Sequence, residues 1–331
     1  MSMIENSEGY MRPQPLGVFP FPAGLLLLPD VGDAGRPALA RLMQGDASAA
    51  LPAEWRFFEL ALAGDYDQAL AAIGGSDSIA IHNRIALGED LPANGVLQSA
   101  VRYAVGRDEK PPTPEGLDAE LLAFVLMLHS IYWIERDQIE KAIEPLTNAI
   151  AAAREVSPEF AAQMLGQLAA LESERPSVAI SHYHEALSLA KGNARAELSL
   201  QLGMALQDGE TTNADEAVNA YREALKVYTK QAFPEKWASA QMNLANALQA
   251  GSSYEEAAAI YDEILSARSR AADPVGYARI LVNQAHAQAQ LGMYAAAMEK
   301  AGEAYMLFRR HDEPGMAESA LELRKSIAAV S

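Results

Sequence analysis

"NLANALQAGSSYEEAAAIYDEIL", residues 243–265, holds two helical patterns joined by a short polar turn. In the first, Leu244, Ala245 and Leu248 recur at helical three- and four-residue steps, and Trp237, two turns upstream, falls on the same face. In the second, Ala257, Tyr261 and Ile264 repeat the pattern, after the turn signal "GSS". The stretch predicts a helical hairpin whose two apolar faces close on each other. On the first helix Ser239, Met242, Asn246 and Gln249 share a second face, with Asn243 at its edge.

Working outward, the second helix recurs. "QIEKAIEPLTNAI" from 138, "PSVAISHYHEAL" from 176, "ADEAVNAYREAL" from 214, "SYEEAAAIYDEIL" from 253 and "MYAAAMEKAGEAY" from 293 share one register. Their aligned alanines are Ala142, Ala179, Ala217, Ala257 and Ala297, separated by 37, 38, 40 and 40 residues. Four residues on stands Leu146, Tyr183, Tyr221, Tyr261 or Ala301, and seven on Ala149, Ala186, Ala224, Ile264 or Ala304. Small, bulky, small at these steps is one helix face, and the alanines let a neighbour approach closely. Each is preceded by a first helix, from "AFVLMLHSIYWIERD" at 123 to "ARILVNQAHAQAQLG" at 278. A single hairpin cannot bury its apolar face, so five in succession must stack.

These residues resemble the tetratricopeptide repeat family. The family's small residue in the first helix, then alanine, aromatic and alanine in the second, is met by Gly203 with Ala217, Tyr221 and Ala224. It recurs in Ala245 with Ala257 and Tyr261, and in Ala285 with Ala297 and Ala304. The long period is similar to the extended repeats of kinesin light chains and bacterial signalling arrays. The resemblance implies an all-α solenoid, a right-handed superhelix of helical hairpins, whose first helices line a concave groove. It places Gln163, Gln167, Leu200, Gln201, Gln207, Ser239, Met242, Asn243, Asn246, Gln249, Arg279, Asn283 and His286 in that groove as candidate peptide-binding residues. Amides both donate to and accept from a peptide main chain, while Leu200, Met242 and Val282 offer apolar contact.

Flanking regions are less regular. "MRPQPLGVFPFPAGLLLLPDVG", residues 11–32, is broken by prolines that fix φ and remove donors, so an extended arm is expected over 1–35. Residues 36–115 read as an irregular helical region with one or two degenerate hairpins, one of them containing Ala69. "DEKPPTPEG", residues 108–116, is the expected boundary before the five repeats of 116–312, and 313–331 reads as a solvating cap helix.

Composition narrows the function. The formal charge of −18, from 26 Lys and Arg against 44 Asp and Glu, opposes nucleic acid and anionic membranes, whose capture relies on basic residues. With no cysteine, thiol catalysis and thiolate metal sites are excluded, and a cytoplasmic location is the expectation. The aliphatic run "AGLLLLP", from 23, is too short for a membrane span, and neither signal peptide nor anchor is read. There is no P-loop, dinucleotide fingerprint, nucleophile elbow or HExxH pair, so no enzyme and no cofactor are expected. His182 and His184 point about 200° apart on a helix and cannot share a metal, and His129 reads as a hydrogen-bonded histidine in an apolar helix.

The reading that results is a non-catalytic adaptor or assembly chaperone holding a segment of another protein in its groove. Two alternatives stand beside it. One is a self-assembling scaffold that forms homo-oligomers through the array end or the arm, whose "GVFPFPAG" could fill a groove in cis or from a second copy. The other is an enzyme or small-molecule sensor with a site in the first third.

Overall fold

A computed structural model of the chain describes residues 10–11, 22–29, 31, 37–38, 50–208 and 213–331. Most of the expected arm, including residues 17–21 of "GVFPFPAG", lies outside these. The architecture is an all-α array of stacked helical hairpins. Packing divides the chain into two compact units, Met1–Leu198 and Ser199–Ser331.

In the first unit, β1 (Tyr10–Met11) pairs antiparallel with β2 (Leu28–Pro29), and single 3-10 turns form at Ala23–Leu25 and Ala53–Trp55. Then come α1 (Arg56–Leu62), α2 (Tyr66–Ala72), α3 (Ser78–Ala86), α4 (Val96–Ala104), α5 (Ala119–Ile134), α6 (Ile139–Ala153), α7 (Pro158–Leu171) and α8 (Pro176–Leu189). α1 packs on α2, α3 on α4, and α4 to α7 each on the next. The segment leading into β2 is buried: Leu26 and the first β2 residue, Leu28, have no exposed surface, and Leu27 is buried between them. No helix forms over 108–116, but His129 Nε2 donates to the Pro112 carbonyl at 2.8 Å and fastens that stretch to α5.

α9 (Gly192–Asp208) runs through the division. The second unit continues with α10 (Ala214–Leu225), α11 (Pro234–Ala250), α12 (Tyr254–Ala267), α13 (Pro274–Gln290), α14 (Tyr294–Arg310) and α15 (Pro314–Val330). From α10 onward each helix packs on the next, and the first helices α11, α13 and α15 also touch in sequence, making one continuous face. α15 takes the place of a further first helix: Ile327 joins Ala285, Ala297 and Ala301 in one buried cluster.

Local chemistry sets where the helices start and stop. Pro158, Pro176, Pro234, Pro274 and Pro314 each open a helix, at the position where a missing N–H costs nothing. Asp273 and Asn213 cap α13 and α10 by accepting from Gly276 N at 2.8 Å and Glu216 N at 3.2 Å. Among the described residues seven turns use one closure. A left-handed residue, Gly64, Gly88, Gly106, Asp137, Ser252, Gly292 or Asp312, is followed by an N–H that returns to the carbonyl five residues back, at 3.0, 2.9, 2.8, 3.0, 2.8, 2.9 and 3.0 Å.

Two helices approach closely at Gly203, where an added Cβ would stand 2.5 Å from the buried Tyr221 ring. Gly203→Ala is therefore expected to destabilise by about 1–3 kcal/mol, overriding the roughly 1 kcal/mol gain in helix propensity. Ser252→Gly, which puts at this turn the residue found in the equivalent turn at Gly292, is expected to stabilise by about 1 kcal/mol because φ is +63° there. Denaturant unfolding of the two variants checks both signs.

Candidate functional site

The site grows from one buried hydroxyl. Tyr261 on α12 has no exposed surface, and its ring runs between α11 and α13 so that the OH emerges on their shared face. It donates to Asn246 Oδ1 at 2.7 Å, with Gln249 Oε1 a second acceptor at 3.2 Å. Asn283 Nδ2 donates to the same Asn246 oxygen at 3.0 Å and approaches Met242 Sδ at 3.7 Å. Burial raises the Tyr261 pKa, only partly opposed by the Asn283 hydrogen bond, so the hydroxyl remains a donor at ordinary pH.

Donor and acceptor accounting then fixes what faces outward. Asn246 Oδ1 has both lone pairs engaged, so Asn246 presents its Nδ2 hydrogens. Gln249, its oxygen drawn toward Tyr261, presents Nε2 in the same way. Asn283, with its nitrogen occupied, presents Oδ1 as an acceptor. These groups line an open cleft of ≈ 340 Å³ with Ala250, Tyr254, His286 and Gln290. The lining contains no carboxylate, in a chain of net charge −18.

His286 stands on α13 where Asn246 stands on α11, one residue past the small residue of each first helix. Ala301 replaces the tyrosine that would bond it, and Ile327 joins Ala301 in the apolar cluster beneath. His286 is thus left exposed at the cleft, where partial desolvation lowers its pKa. The preceding hairpin repeats the tyrosine device: Tyr221 OH donates to Gln207 Oε1, the counterpart of Gln249.

Of the residues picked from the sequence, the structure brings Asn246, Gln249, Asn283 and His286 into the cleft, with Met242 touching it through Asn283. Ser239 and Arg279 are exposed and Asn243 is half-buried; all three lie on α11 or α13 outside the lining. Leu200, Gln201 and Gln207, half-buried on α9, are also outside it. Gln163 and Gln167 sit on α7, in the first unit. Tyr254, Ala250 and Gln290 were missed. Extending the Asn283–His286 stripe by one more turn reaches Gln290, so that signal was present in the sequence.

Outside the cleft, His182 Nε2 lies 3.0 Å from the buried Glu172, which also pairs with Arg175. Glu256 pairs with Arg222 at 2.8 Å. Among the described residues no three His, Asp or Glu side chains gather at metal-binding distance, and no helix is long and apolar enough to cross a membrane.

No protein-family model matches the chain, and no curated protein matches it. Solved structures do. YrrB, described as a tetratricopeptide protein with an unusual peptide-binding site, is 17% identical at a TM-score of 0.47, covering 60% of this chain and 92% of its own. MamA is 16% identical at 0.47, over 58% and 94%. A Rap protein complexed with competence and sporulation factor is 12% identical at 0.44, over 83% and 84%. All three lie below a TM-score of 0.5, and the fold assignment rests on this chain's own helix packing.

The His286 ring gives a pH test. Between its lowered pKa and the ordinary 6.5, the unfolded chain binds more protons on this ring than the folded one. This ring's contribution to stability is therefore fully present above about pH 6.5 and is lost as pH falls through that window. The ring's NMR titration should have its midpoint below 6.5, and the parent should lose more stability over the window than His286→Asn does.

Proposed function

We propose that this chain is a non-catalytic protein-interaction module, an adaptor or assembly chaperone, that holds an extended segment of a partner protein along α11 and α13. The observation that carries the reading is the Tyr261 network. By engaging the oxygens of Asn246 and Gln249, it turns their N–H groups into the cleft, beside the free Asn283 oxygen. Donors and an acceptor side by side suit a peptide main chain, which offers C=O and N–H alternately. Met242 and Val282, half-buried on the same helices, add apolar contact for a side chain. With no carboxylate in the lining, neutral and acidic segments meet no repulsion there.

Selection from a random peptide library against the full chain supplies ligands for the test. His286→Ala with Gln290→Ala removes two lining side chains that bond to no other side chain, so the melting temperature should stay within about 2 °C of the parent's. Selected peptides should bind this variant about tenfold to a hundredfold more weakly, as expected for two hydrogen bonds of roughly 0.5–1.5 kcal/mol each. Parent-level affinity in the double variant would remove the cleft as the site.

A further inference from the structure

The cleft on α11 and α13 has the chemistry to select for charge, an inference that rests on its reading as a segment-binding site. A carboxylate only accepts hydrogen bonds, so burying one calls for several donors together. Both helices supply them: Asn246 Nδ2 and Gln249 Nε2, turned outward by Tyr261, and the side-chain amide of Gln290. His286 stands among these donors and bonds to no other side chain. Asn283 Oδ1, the one acceptor among the ordered amides, is left for a main-chain N–H of the same segment. The α13 stripe of Asn283, His286 and Gln290 continues one turn back to Arg279, which is exposed and forms no ion pair among the described residues. In a chain of net charge −18, a lining without carboxylates that leads to an unpaired guanidinium complements a negative ligand.

The surroundings of His286 leave its charge to the ligand. α11 faces it with Asn246 and Gln249, α12 with the phenol of Tyr254, and α13 itself with Asn283 and Gln290. Beneath it, α14 and α15 supply Ala297, Ala301, Leu323 and Ile327. The α15 charges Glu322 and Lys325 pair with each other at 2.8 Å. Desolvation is the cause of the lowered pKa, and no charge on these elements contributes to it. We propose that the segment held in this cleft carries an Asp or Glu side chain seated against His286, and that the ring takes up a proton as the carboxylate binds. Partial desolvation keeps the free ring neutral, and the same desolvation strengthens the ion pair once a carboxylate arrives. Capture therefore tightens as pH falls.

The test selects random peptides against the full chain at about pH 6 and again at about pH 8, on either side of the ordinary imidazole pKa. One library is amidated at the C-terminus, so that side chains hold its only carboxylates, and a second has free C-termini. Amidated peptides selected at the lower pH should be rich in Asp and Glu, and should bind about tenfold more tightly there than at the higher pH. Changing the acidic residue of such a peptide to its amide should flatten this dependence, and so should His286→Gln in the protein. With the peptide bound, the NMR titration midpoint of His286 should move from below 6.5 to above it. Suppose instead that the selected peptides are weakened by His286→Ala with Gln290→Ala but lack acidic residues, or bind equally at both pH values. The acidic preference is then overturned while the cleft stands as a segment-binding site. Binding confined to peptides with free C-termini, or a pH dependence that survives His286→Gln, has the same consequence. Peptides that bind the double variant as tightly as the parent, or no binders at either pH, overturn both readings.

Discussion

The close approach of first and second helix is the constraint on which the rest of the array depends. Two α-helices pack at 8–10 Å only when the residues at the crossing leave room, and the chain supplies Gly203, Ala217, Ala257, Ala285 and Ala297 at those crossings. At Gly203 the tolerance is zero, since the face of Tyr221 occupies the space of a methyl group. A small residue in one helix thus lets an aromatic from the other lie flat across it, and the aromatic buries more area than any aliphatic could.

A polar consequence follows from that apolar fit. Tyrosine laid across the hairpin carries its hydroxyl to the outer face of the first helix of its own hairpin, and a buried hydroxyl needs a partner. Gln207 answers Tyr221, and Asn246 with Gln249 answers Tyr261. The core of each hairpin therefore sets the orientation of the amides on its surface. Where Ala301 replaces the aromatic, Ile327 of the following helix joins the cluster and His286 is released. The cleft forms where an ordered amide pair meets an unanchored imidazole.

The two units use side-chain amides differently. In the second, amide oxygens are engaged by tyrosine and the nitrogens face outward; in the first, Asn83 has both termini on the main chain of Leu27. Each arrangement satisfies polar groups that burial would otherwise penalise by about 1–3 kcal/mol apiece. The difference lies in the partner: a neighbouring helix in one, an extended segment of the same chain in the other.

The all-α hairpin array was legible in the sequence because its cause is local and periodic. Alanines 37 to 40 residues apart, aromatics four residues on, and a polar turn between helices state the packing faces without reference to distant residues. The sequence also carried a signal that went unread, the prolines Pro234, Pro274 and Pro314, which open successive first helices at a spacing of 40. Helical periodicity placed Asn246, Asn283 and His286 on one face. It could not tell which amide atom faces out, because that depends on a tyrosine hydroxyl arriving from another helix to within 2.7 Å. Nor could it join Leu27 to Asn83: a hydrogen bond across 56 residues has no period, and an aliphatic run broken by prolines reads the same whether it lies in water or in a groove. Those contacts were decided only when the helices had packed and set the distances between them.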